Sequence, residues 1–200
     1  MACALNIARK RFITPHHGIL VCSLTVLLIL ILSLPLHAQR RNTKTYSSKD
    51  GLPQSQITSI YQDPTGYIWF GTYSGAVRFN GHRWDVFDNT TGMQNNTVYT
   101  ITGDDEGRIY FGTAGGVAIY DKGEFTHITK EDGLSDNTVY NLFVDVDGTL
   151  WIAANNGLNS YSPDGTLQSF GYDQGLNAYY ITKVYKDTNG TLWIGTYSGL

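Results

Sequence analysis

Charge is scarce in this 200-residue chain, and cysteine is scarcer. Charged residues make up 16% of it and aromatic residues 13%. Such a balance supplies enough apolar surface to fold and excludes a disordered segment. The only cysteines, Cys3 and Cys22, both precede residue 38. The chain beyond residue 38 therefore has neither disulfides nor Cys-ligated metal to stabilise it. Past that point there are 17 acidic and 11 basic residues, a net charge of −6. Nucleic-acid binding needs clustered Lys and Arg, so it is excluded for this segment. Histidine is reduced there to His82 and His127. Neither has a nucleophile or acid patterned beside it, and no Gly-rich loop opens a helix to cradle phosphate. No catalytic residue, metal ligand or cofactor is expected.

The first 38 residues are a different kind of sequence. Arg9, Lys10 and Arg11 precede an uncharged, apolar stretch over residues 19–34, followed by Pro35-Leu36-His37-Ala38-Gln39. A basic cluster, an apolar run and a small residue at the cut describe a secretory signal peptide over residues 1–38. Leu36 is bulky for its place three residues before the cut, so an uncleaved anchor is the alternative. Against that, a span needs about 20 apolar residues. Residues 39–200 are thus expected outside the cytoplasm, with membrane contact only through this segment or a downstream span.

What the rest has in abundance is repetition. Gly51-Leu52, Gly92-Met93, Gly133-Leu134 and Gly175-Leu176 recur at spacings of 41, 41 and 42 residues. Twelve residues after each anchor glycine stands Asp63, Asp104, Asp145 or Asp187. Fifteen after it stands Gly66, Gly107, Gly148 or Gly190, and eighteen after it Trp69, Tyr110, Trp151 or Trp193. Gly75, Gly116, Gly157 and Gly199 close the pattern at twenty-four. A period near 40 residues with strand-like segments signals a β-propeller, one small sheet per repeat.

The third repeat shows the unit. Residues 139–144 and 149–153 are rich in β-branched, aromatic and other apolar side chains and read as strands. Asp145-Val146-Asp147-Gly148 and Asn155-Asn156-Gly157 are turns between them and the next strand, 158–161. Pro163-Asp164-Gly165 turns again into 167–170. These four antiparallel strands, a to d, make one blade. The repeats fall near 47–87, 88–128, 129–170 and 171–200. Residues 43–46 precede the first anchor as each strand d precedes the next, so they read as a lone strand d. The fold expected is all-β, a propeller of four-stranded antiparallel blades. About three and a half are present, the N-terminal part of a ring of about seven; a compact four-bladed domain is the alternative.

The pattern Gly-Leu-x4-Val/Ile-x5-Asp-x2-Gly-x2-Trp-x5-Gly-Leu resembles the two-component regulator propeller repeat. Gly190-Thr191-Leu192-Trp193-Ile194-Gly195-Thr196-Tyr197-Ser198-Gly199-Leu200 and the third repeat match it best. Tyr110, Met93 and Val117 depart from it in the second repeat, each by an apolar or aromatic replacement. The resemblance implies the periplasmic sensor region of a bacterial regulator, often a hybrid histidine kinase, with a β-sandwich, a membrane span and an output domain downstream. It further implies a small-molecule or oligosaccharide ligand and leaves room for a homodimer formed through downstream parts. A secreted glycan- or protein-binding propeller without signalling output is the rival reading, and a propeller lyase or glycosidase the third.

Residues constant between repeats hold the fold, so the strand-b Trp and Tyr positions are expected to be core between blades. Trp84 has no evident aromatic counterpart in the next two repeats and reads as outer-strand packing. Asp145-Val146-Asp147-Gly148 opens like a calcium loop but lacks the later oxygen ligands, so it reads as a hairpin turn. Strands alternate in direction, which puts the d–a and b–c connections on one face. Those are expected to be the longer, more variable loops, and binding residues concentrate on such loops. The ligand-binding candidates are Gln54, Gln56, Tyr73, Asn96, Asn137, Asn155 and Tyr179. Their amides and Tyr rings suit a neutral, hydroxyl-rich ligand, although Asn and Gln also form turns for their own sake.

Overall fold

The computed structural model of the chain describes residues 43–176 and 179–200; the signal-peptide reading of residues 1–38 lies outside them. A first unit ends at Lys44, and the propeller unit runs Thr45–Leu200. Its described residues form three four-stranded antiparallel sheets and one two-stranded sheet. Blade one is β1 (Ser59–Gln62), β2 (Ile68–Thr72), β3 (Gly75–Phe79) and β4 (Trp84–Phe87). Blade two is β5 (Val98–Gly103), β6 (Ile109–Thr113), β7 (Gly116–Asp121) and β8 (Glu124–Ile128). Blade three is β9 (Val139–Val144), β10 (Leu150–Ala154), β11 (Gly157–Tyr161) and β12 (Leu167–Phe170). Blade four is represented by β13 (Ile181–Lys186) and β14 (Leu192–Thr196). Each sheet pairs its strands in chain order, so every strand is joined to its neighbour by a tight turn.

A four-stranded sheet is too thin to hold a core of its own, so the blades bury their faces against one another. Trp69, Phe87, Val98, Ile109 and Phe111 form the layer between blades one and two. Tyr110, Val117, Leu134, Leu142 and Ile152 form the next. Blade-to-blade contact runs through β1, β5, β9 and β13 in succession. Strand a is therefore the inner strand of every blade. Side chains reinforce that contact: Thr58 Oγ1 donates to Val98 O at 2.6 Å. Ser59 Oγ accepts from Ile101 N, and Asn141 Oδ1 from Val184 N, both at 3.0 Å.

The anchor glycines are dictated by the turn before them. In repeats one and three a 3₁₀ turn (Ser48–Asp50, Lys130–Asp132) carries a capping box, Ser47 with Asp50 and Thr129 with Asp132. The chain must then reverse through a left-handed residue, and Gly51 and Gly133 take φ of 115° and 106°. Leu52, Met93 and Leu134 drop into the inter-blade core just after it. The glycine opening strand c answers a second constraint. A Cβ at Gly75 would sit 2.5 Å from the Phe87 carbonyl oxygen. Gly116 and Gly157 face the Ile128 and Phe170 carbonyls in the same way.

Three expectations change. Residues 43–46 form no strand among the described residues, because no described strand lies alongside to complete a ladder. Tyr46 nevertheless takes the packing of a strand-d residue, its ring 5.3 Å from both Phe79 and Trp84. Phe87 meets Tyr120 and Phe125 of the following blade in the same manner. Trp84 does have an aromatic counterpart, since it pairs with Phe79 as Phe125 pairs with Tyr120. The strand-b aromatics are not equivalent. Trp69 and Tyr110 are buried, Trp151 is half-buried, and Trp193 is 46% exposed. Trp69 is enclosed by Phe87 of its own blade and by Phe111 and Tyr120 of the next. Beside Trp151, Leu158, Phe170 and Leu176 line an open groove of about 300 Å³.

Candidate functional site

The two faces of the propeller are built on different principles. On the a–b side, the repeated aspartate accepts from its own turn and from the strand-b aromatic. Asp63 Oδ1 takes Thr65 N and Tyr67 N, while Oδ2 takes Trp69 Nε1 at 2.8 Å. Asp104 holds Tyr110 OH and Arg108 Nε at 2.8 and 2.6 Å. Asp187 holds Trp193 Nε1 at 2.9 Å. In the third repeat Lys186 of the next blade takes Asp145 Oδ2 instead, and buried Trp151 Nε1 has no partner at normal geometry. Burial alone would raise the Asp63 carboxyl; the Thr65 and Trp69 hydrogen bonds outweigh it and hold it below its ordinary value. Asp104 behaves alike, with Tyr110 and Arg108 as the opposing donors. Burial, then the Asp104 bond, pushes the Tyr110 hydroxyl up.

Each of these charges has a structural task. Asp145-Val146-Asp147-Gly148 is a hairpin turn, with Asp147 Oδ1 accepting from Thr149 N at 3.0 Å. Among the described residues no group of His, Cys, Asp and Glu is disposed to hold a metal ion. His127 Nε2 accepts from Gln94 N at 3.2 Å, which fastens strand d of blade two to the loop that leads into that blade.

Backbone hydrogen bonds join the d–a and b–c segments on the opposite face. Gly75 N donates to Asn96 O, Ala114 N to Thr97 O, Asn155 N to Thr138 O and Tyr180 N to Asn155 O, at 2.7–3.1 Å. The b–c connections are two-residue turns, shorter than expected. Thr72 closes the first, its Oγ1 accepting from Ser74 N and donating to Gly75 O. Thr113 and Thr196 repeat the device.

The seven candidate residues divide. Asn96 Oδ1 accepts from Asn89 N, and Asn137 Oδ1 from Lys130 N, each at 2.7 Å. Those two amides tie the d–a loop to itself, one per repeat. Gln56 and Tyr179 are exposed on the loops. Gln54 Oε1 accepts from Tyr73 N at 3.2 Å. Tyr73, 41% exposed, meets the Tyr99 ring edge-on at 6.2 Å. Tyr99 lies 5.5 Å from Tyr140, and Tyr140 OH donates to Asn155 Oδ1 at 3.3 Å. Tyr180, held by Asn155 O, meets Tyr197 at 5.7 Å. Gln54, Tyr73, Asn155 and four further tyrosines thus form one continuous arc across four blades.

Tyr99 and Tyr140 escape a reading of the loops because they sit inside strands. Both stand seven residues after their anchors, where the other repeats have Thr58 and Thr182. The pairing register skips that position: Val98 pairs Thr113 and Thr100 pairs Gly112, and Tyr140 and Thr182 are passed over likewise. Each is the extra residue of a β-bulge, which re-aims a side chain out of the ladder. Burial is the main reason the Tyr140 hydroxyl is raised, with Tyr197 and Tyr99 nearby adding to it. It stays a protonated donor at neutral pH.

The Two component regulator propeller family matches residues 51–74, 92–115, 133–156 and 175–198, all four repeats in register. The chain belongs to that family. Among solved structures, the propeller resembles the extracellular domain of BT3049 from B. thetaiotaomicron, described as a hybrid two component system. The TM-score is 0.70 at 20% identity, over 77% of this chain and 22% of that one. The extracellular domain of BT4673 from the same organism, described as a one component system, matches with a TM-score of 0.61 at 25% identity, over 72% of this chain and 23% of that one. A curated relative, Histidine kinase P4 of Formosa agariphila, is 37% identical over 67 residues, 32% of this chain and 5% of the kinase. The chain thus spans about a fifth of the length of these two extracellular domains and far less of the kinase.

Proposed function

We propose that this chain is the exported, ligand-sensing propeller of a two-component signalling receptor, and that its ligand is carbohydrate-like. The observation that carries the reading is a family propeller whose one face collects amides and tyrosines while the other is occupied by structural aspartates. The segment performs no chemistry of its own: His127 is engaged in packing a strand to a loop, and an output domain elsewhere in the protein would turn binding into phosphotransfer. Residues 1–38 direct export, and intact mass of the mature protein would begin at Gln39. Further blades complete the ring of about seven.

The test is phosphotransfer by the intact protein in membrane vesicles, measured with a panel of oligosaccharides. Output that rises with one glycan, and fails to rise when residues 51–198 are deleted, is expected. Output indifferent to every glycan, in a protein that binds one, would leave a binding propeller without signalling.

A further inference from the structure

We infer that the tyrosine arc is a stacking rail for an uncharged glycan chain, with Tyr99 and Tyr140 as its central platforms. This deepens the carbohydrate reading of the propeller and rests on it. Two bulges at equivalent points of β5 and β9 lift one tyrosine each out of the sheet, towards the face where Tyr73 and Asn155 already stand. Packing alone does not need them there, since Thr58 and Thr182 occupy the same place in the other repeats. Tyr73, Tyr180 and Tyr197 are 41%, 49% and 75% exposed. Tyr99 and Tyr140 stand half-buried between those exposed rings, and an apolar patch of that kind on one rim marks a binding site. Tyr180 also holds a left-handed φ of 59°, a strained conformation for a bulky residue.

The chemistry of the rim selects the ligand. A pyranose presents C–H groups on its ring faces and hydroxyls at its edge. Tyr offers the matching π-face and hydroxyl, and the Asn155 and Gln54 amides stand beside them. A charged ligand fits poorly. The d–a and b–c segments (47–58, 72–75, 88–97, 113–116, 129–138, 154–157, 171–180 and 196–199) contain two basic residues, Lys49 and Lys130, against six acidic ones. That balance repels a polyanion. Of those acids, Asp50 and Asp132 are committed to capping boxes, Asp136 accepts from Thr138 N and Asp88 from Thr90 N, so those four shape the loops. The arc crosses blade boundaries, so the ligand is a chain several sugars long rather than a monosaccharide.

The experiment is calorimetric titration of the intact protein with cellohexaose, xylohexaose, mannohexaose, maltohexaose and arabinohexaose, alongside tetragalacturonate and a proline decapeptide. One or more neutral hexasaccharides should bind, with affinity unchanged as salt rises across the range that screens surface charge. Tyr99→Ala and Tyr140→Ala should each weaken binding about tenfold, the scale of one lost aromatic stacking contact. Tyr99→Phe and Tyr140→Phe should keep most of it. Thr65→Ala and Lys122→Ala, on the opposite face, should bind as wild type, and every variant should remain folded at the titration temperature, with a cooperative melt above it. Undiminished binding by the Tyr99→Ala/Tyr140→Ala double variant would remove the rail while leaving the sensor reading intact. Rail-dependent binding without any phosphotransfer response would sink the signalling reading alone. Binding of tetragalacturonate or the proline peptide in preference to every neutral glycan, or binding of no neutral glycan, would overturn the proposal.

Discussion

At the scale of single residues, the same aspartate does the same work under different degrees of burial, and that difference sets its worth. Trp69 is 1% exposed, so its indole N–H has no water to turn to if Asp63 is lost. Asp63→Ala should cost about 1–3 kcal/mol, the penalty of a buried unsatisfied donor, read by chemical denaturation. Asp187→Ala removes the equivalent acceptor from Trp193, which is 46% exposed. In the 200-residue chain water replaces it there, and the melting temperature should move far less than for Asp63→Ala. Acid should expose the same linkage. Asp63 and Asp104 are held below the ordinary carboxylate value of 3.8 in the native state, burial notwithstanding, by their hydrogen bonds. Their contribution is complete above that value and is lost as pH falls through the lowered native values. Melting followed from about pH 5 to about pH 2 should decline in the wild type. The Asp63→Asn/Asp104→Asn variant should show a flatter acid limb, and a limb as steep as wild type would refute the assignment.

At the scale of the element, each turn has its own constraint, and the glycines separate on it. Gly75 combines a φ of 115° with a would-be Cβ 2.5 Å from the Phe87 carbonyl. Gly66 has a φ of 93° and nothing within 4 Å. Gly66→Ala should lose about 1–2 kcal/mol for the left-handed backbone alone. Gly75→Ala should lose more, because strands c and d must part to admit the methyl group. Equal losses would show that the carbonyl contact relaxes freely. The strands are legible in the sequence to within a residue or so: 139–144 and 167–170 are expected, and β9 and β12 occupy them. Turn glycines and β-branched runs report on local backbone, and local backbone is what a strand boundary is. Bulges escape such a reading. A skipped pairing at Tyr99 or Tyr140 depends on the partner strand, and the alternation pattern over six residues hardly registers it.

At the scale of the whole molecule, stability comes from the layers between blades, and a residue's contribution depends on what the adjacent blade supplies. Trp69→Ala should cost about 3–5 kcal/mol, as for other fully enclosed aromatics. Trp151 occupies the same place in its repeat but borders the open groove lined by Phe170 and Leu176. Its replacement by Ala should cost this chain less, about 1–3 kcal/mol for a half-buried aromatic. Equal melting shifts for the two variants would mean that blade four encloses Trp151 as fully as blade two encloses Trp69.

The repeat, the strand order, the turn residues and the buried anchors were determined by the sequence, because each is enforced within some 40 residues of chain and written four times. The family is read from the same spacing. Tertiary structure alone decided which side chains meet across blades. Gln54 reaches Tyr73, Tyr99 reaches Tyr140, and Asn155 reaches both Tyr140 and Tyr180 only because four inner strands are set side by side. Asn96 and Asn137 look like the other loop amides in sequence, yet each closes on a backbone N–H seven residues earlier. A hydrogen bond within the loop and one offered to a ligand call for the same residue type, and only the position of the donor distinguishes them.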